Sequence, residues 1–133
     1  MVISEKSQHE FVIGNKSHEL FEIVISVCDP RKDNSRFPTY VREELGGEMI
    51  RAAREIMRCC LFANGCRDVG RANYQRDAYN NIVYLNFLTR TVYDKGWINA
   101  KQHDRIIRYT GELTTRIYNW RRATARIDKE KKG

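Results

Sequence analysis

The chain has 133 residues, enough for one domain to bury a core without disulfide or metal support. Only 2 prolines and 8 glycines interrupt it, and 31% of its residues are charged, a composition that favours long helices with solvated faces over a sandwich of short strands. No apolar run approaches the roughly 20 residues that span a bilayer, and residues 1–10 are too polar for a signal peptide, so the expected setting is cytoplasmic with no membrane partner. The formal net charge of +7 is unevenly placed: from Lys101 onward there are 10 basic against 4 acidic residues, whereas residues 1–100 hold 14 against 13.

Residues 1–16 read as an N-terminal tail or docking segment, with a short apolar cluster at Phe11, Val12 and Ile13 ended by Gly14 and Asn15. Ser17 can cap a first helix in which Leu20, Phe21, Val24, Ile25, Val27 and Cys28 follow helical spacing, until Asp29-Pro30 stops it. After a polar connection from Arg31 to Arg36, Pro38 suits the first turn of a second helix, expected to run to about Asn64. Val41, Leu45, Met49, Ala52, Ala53, Ile56, Cys60 and Leu61 line one face of it, and Gly46-Gly47 predicts a kink or a close helix crossing.

Residues 65–72 read as a turn. The third helix carries Tyr74, Ala78, Ile82, Leu85, Leu88, Val92 and Tyr93, and Gly96 supplies its C-terminal cap. Asn99, with Gln102 three residues later, predicts a capping box at the start of a fourth helix. Its stripe is Ile106, Thr110, Leu113, Ile117, Trp120, Thr124 and Ile127. The expected fold is all-α, an antiparallel up-down-up-down four-helix bundle over residues 17–127, followed by a basic C-terminal tail at residues 128–133. Seven tyrosines remain for half-exposed positions, some suited to a subunit interface.

Catalytic apparatus is not visible. The chain lacks the Glu-x-x-His pairs of di-iron bundles, a phosphate-binding loop, a dinucleotide fingerprint, a nucleophile elbow and a zincin pattern. His9, His18 and His103 have no second histidine at ligand spacing, and Cys28, Cys59, Cys60 and Cys66 form no C-x-x-C, so no metal or cofactor is expected and the thiols read as reduced and buried. Gly65 to Gly70 reads as a turn, since it has neither the lysine nor the preceding strand of a phosphate cradle.

The basic residues fall into two sets. Arg51, Arg54 and Arg58 share one side of the second helix, where Glu48 and Glu55 stand at pairing distance, so a solvated ion-pair face is the plainer reading there. On the fourth helix and tail, Lys101, Arg105, Arg108, Arg116, Arg121, Arg122, Arg126, Lys129, Lys131 and Lys132 outnumber the acids too heavily to be neutralised. Arginine forks bind phosphate in a bidentate way and stack on bases, so this set points to RNA or DNA backbone. The competing reading is that these cations complement the helix dipole and keep the protein in solution.

Three stretches, RFPTYVREELGGEMIRAAREIM, YDKGWINAKQHDRIIRYTGEL and RIYNWRRAT, carry a resemblance. Together with the helix spacing, which extends the match to about residues 17–125, they resemble a family of small four-helix-bundle proteins. It comprises the accessory variability determinants of diversity-generating retroelements and the proteins encoded in large-subunit ribosomal RNA intervening sequences. The motifs are degenerate: a Phe-Pro before the second helix, a centre at Ile50, Arg51, Ala52 and Ala53, and a Gly-hydrophobic turn before the fourth. Trp120 is similar to the accessory-determinant branch, although Tyr118-Asn119 stands where that branch has Gly-Gly. The resemblance implies a homopentameric barrel of bundles and a basic surface that meets a reverse transcriptase and its template RNA, supporting mutagenic complementary DNA synthesis without being the polymerase. The other branch implies a self-assembling structural protein with no reverse transcriptase partner.

Overall fold

The computed structural model describes residues 11–32 and 36–132, which are all-helical. Four long helices are present and no strand occurs among the described residues. Helix α1 spans Val12–Cys28. Helix α2 is one unbroken run of three pieces: an α turn at Thr39–Val41, a wide π turn at Arg42–Gly46 and an α-helix at Gly47–Gly65. Helix α3 spans Asp68–Asp94 and α4 spans Ala100–Lys132.

Helix α1 begins ahead of the expected Ser17. Ser17 is fully buried, and its hydroxyl donates to the Gly14 carbonyl at 2.7 Å, one turn back, so it is an interior residue and not a cap. Ile13, packed against the core, supplies the apolar contact that draws the extra turn into the helix. At the other end Asp29 is extended, as a residue before proline prefers, and its Oδ1 accepts the Arg31 backbone N–H at 2.9 Å.

The glycine pair marks a real irregularity in α2. The π turn ends at Gly46, which is buried, and a methyl there would stand 3.5 Å from the Cys28 sulfur, so α1 and α2 approach closely at this point. Upstream, Phe37 is buried and stacks on Trp97 with ring centroids 5.8 Å apart, closing that end of the core. Pro38 is the residue before the helix, not its first turn.

The turn expected over residues 65–72 is shorter, because only Cys66 and Arg67 separate α2 from α3. Asp68 makes the corner with a positive φ of 57°, a conformation that aspartate tolerates better than most residues. Helix α3 ends as expected at Gly96: its φ is 76°, its N–H bonds the Tyr93 carbonyl, and the Trp97 N–H reaches back to Val92, both at 2.9 Å. The capping box of α4 is also present, with Gln102 N–H to Asn99 Oδ1 at 2.8 Å and Asn99 N–H to Gln102 Oε1 at 2.9 Å.

Both α1 and α3 pack against α2 and α4, so the four helices surround one core. Leu20, Val24, Met49, Ile56, Ile82, Leu85, Ile106, Leu113 and Ile117 are fully or almost fully buried in it, each contributing roughly 1.5–3 kcal/mol of burial. The α4 stripe holds from Ile106 to Thr124 but not at its end, where Ile127 is 47% exposed among the described residues. Leu61, given to the α2 core face by its spacing, is likewise exposed. No helix of the described residues is long and apolar enough to cross a membrane.

Candidate nucleic-acid interface

The basic side chains of α4 separate by their neighbours. Arg105, Arg108, Arg116, Arg121, Arg122, Arg126 and Lys129 are exposed. Lys131 and Lys132 are helical in backbone, continuing α4 past the expected tail boundary, and their side chains lie outside the described set. Among the described residues none of the first seven forms an ion pair. On the α1 side, Lys16 donates to Glu112 at 2.6 Å and lies over the Tyr109 ring, which Arg108 also faces. The Lys16 hydrogen bond, with Arg108 and Arg116 nearby, holds the Glu112 carboxyl below its usual range.

On the α3 side, Arg121 lies 6.0 Å over the Tyr79 ring and Arg122 lies 5.8 Å over Tyr118. A guanidinium over a ring face gains cation–aromatic attraction and can still offer N–H groups to a phosphate. The second set, on α2, is paired as its spacing suggested: Arg51 bonds Glu48 at 2.6 Å, and Arg58 bonds Glu55 at 2.7 Å, which holds the Glu55 carboxyl low. Arg54 is exposed between them. The structure therefore does not join the α2 arginines to the α4 set by any contact, and two of the three have carboxylates already.

Two openings lie along the seam between α3 and α4. One opening, about 420 Å³, is lined by Ala72, Gln75, Tyr118, Arg121, Arg122 and Thr124, with Ala125 at its edge. Its floor is polar: Gln75 is 1% exposed and its amide N–H donates to the Thr124 hydroxyl at 3.0 Å. That hydroxyl in turn donates to the Trp120 carbonyl at 3.0 Å. With the hydroxyl proton given to Trp120, the Gln75 amide presents nitrogen to Thr124, and its Oε1 is buried with no hydrogen-bond partner among the described residues. A second opening of about 210 Å³ is lined by Asn86, Phe87, Arg90, His103 and Ile107, and Asn86 Oδ1 is likewise buried without a partner among the described residues. Gln75, Tyr79, Asn86, Phe87 and Arg90 were not singled out in the sequence. The aromatic-basic run Tyr118 to Arg122 was a usable signal, but nothing in a lone Gln or Asn announces burial.

Burial pushes the Cys28 and Cys60 thiols up to about 12 and raises Cys59 as well, and all four cysteines are free. His18 pairs with Glu22 at 3.0 Å, and His103 pairs with Asp104 at 3.0 Å while stacking on Tyr93. His9 lies outside the described residues. Among the described residues, no three His, Cys, Asp or Glu side chains converge as metal ligands.

The chain matches no family profile and no curated protein. Its functional reading therefore rests on its own residues.

Proposed function

We propose that the protein is a non-catalytic accessory protein of a diversity-generating retroelement, binding that element's reverse transcriptase and template RNA in support of mutagenic complementary DNA synthesis. The observation that carries this reading is the exposed arginine set of α4, from Arg105 to Arg126, which has no ion pairs among the described residues. Unpaired guanidinium groups on a rigid helix suit phosphate backbone, and their retroelement context comes from the resemblance of the three stretches quoted above. In this reading the helices run up-down-up-down and five copies close into a barrel. Exposed aromatic and apolar side chains such as Tyr40 and Val69 are available to subunit contacts.

A polarisation titration with structured RNA across a salt series tests the nucleic-acid half. Affinity is expected to fall roughly tenfold or more between about 50 and 200 mM salt, and charge reversal at Arg121 and Arg122 to weaken binding while the helical circular dichroism stays unchanged. Binding that is absent, or indifferent to salt, overturns it. Capture of a reverse transcriptase in a pull-down from the native host supports the protein half, and a reading frame lying inside a ribosomal RNA gene overturns the retroelement assignment.

A further inference from the structure

The two openings between α3 and α4 repeat one composition. Each has an exposed aromatic ring at its lip, Tyr118 at 59% and Phe87 at 63% exposure. Each has arginine beside that ring, Arg121 and Arg122 in one and Arg90 in the other. Each has an amide oxygen below with no hydrogen-bond partner among the described residues, Gln75 Oε1 and Asn86 Oδ1. Gln75 and Asn86 stand eleven residues apart on α3, close to three full turns, so they share a face roughly 16 Å apart along the axis. A buried acceptor without a donor costs about 1–3 kcal/mol, and two in register on one seam suit a ligand carrying N–H groups.

We propose that the α3–α4 seam, with its two openings, holds single-stranded RNA, an inference that rests on the nucleic-acid half of the function above and names its site and strandedness. Bases stack on Tyr118 and Phe87, as on the aromatic platforms of other single-strand grooves. Arg121, Arg122 and Arg90 meet the phosphates. Gln75 and Asn86 accept from the N–H groups of the base edges, which unpaired bases leave free and a duplex does not. Because Gln75 Oε1 is covered in the free protein, Tyr118 or Arg121 at the lip swings aside as a base enters. A partner helix would also fit along the seam, but it has no need of the arginines that lie over Tyr79 on α3 and Tyr118 on α4. The charge favours a polyanion.

The test compares a single-stranded oligoadenylate with a blunt duplex RNA of equal length, by polarisation, on the full chain. The wild type is expected to bind the single strand more tightly. Tyr118→Ala and Phe87→Ala should each weaken single-strand binding roughly fivefold to 150-fold, the span expected for removing one base–aromatic stack, and leave duplex binding unchanged. Both rings are exposed, so thermal stability should not move. Gln75→Leu should weaken the single strand while stability holds or rises, since an orphan oxygen is removed; a merely structural Gln75 would change only the melting temperature. Should all three variants bind the single strand like wild type while charge reversal at Arg121 and Arg122 abolishes it, RNA binding stands and the seam is wrong. A preference for duplex overturns the seam as well, and a wild type that binds neither RNA overturns both readings together.

Discussion

Cys28 and Cys60 sit among apolar side chains with their thiols pushed up to about 12, so neither forms a thiolate near neutral pH. Arg42 pulls Cys28 the other way without offsetting the burial. Alkylation of the native protein near pH 8 should therefore modify Cys66, the one thiol that is only partly buried, before Cys28, Cys59 or Cys60, which should react only as the core opens. Peptide mass spectrometry after a short iodoacetamide pulse reads the order, and early labelling of Cys60 would contradict it. The carboxylates behave in the opposite sense. Glu55 and Glu112 are held below the ordinary 4.5 by Arg58 and Lys16, so what they add to stability is present above that pH and is lost as the pH falls through their lowered values. Exposure keeps both contributions small.

Helix α4 separates a core stripe from its continuation. Ile117 is fully buried and Ile127 is 47% exposed, although both occupy the same sequence pattern. Truncating Ile117 to Ala should cost about 2–5 kcal/mol in urea unfolding, and truncating Ile127 should stay within about 0.5 kcal/mol. Equal losses would mean that the far end of α4 is covered in solution, as assembly would bring about. The same helix shows what the amino-acid order made legible. Asn99, Gln102 and Gly96 act through neighbours three to five residues away, and such local hydrogen bonding can be read from spacing alone. The start of α1 could not be read that way, because Ser17 resembles a cap until Ile13 is seen to pack on the core. The glycine pair announced a disturbance in α2, but not that it would take the form of a π turn. Of the site, the arginines were legible as charge, whereas the seam needed α3 and α4 side by side, and periodicity places Gln75 on a core face without saying that its oxygen lacks a donor.

Across the molecule, the basic charge of α4 is divided between two neighbours: Arg108 and Arg116 lie near Glu112 and the Lys16 of α1, and Arg121 stands over the Tyr79 of α3. If RNA occupies the α3 side, removing Arg121 and Arg122 together should make the plot of log affinity against log salt for single-stranded RNA shallower by about 1.4, or about 0.7 for each phosphate no longer neutralised. Removing Arg105 and Arg116 should leave that slope nearly unchanged, and equal effects from the two pairs would place RNA around the whole helix. One further consequence belongs to the connection at residues 95–99, which is locked at one end by the Gly96 hydrogen bond and at the other by Asn99 and Gln102. If α3 tilts against α4 about that connection, Gln75, nineteen residues from the end of α3 at Asp94, sits on a lever of about 28 Å, so a tilt of about 5° becomes a gap of about 2.5 Å at its amide.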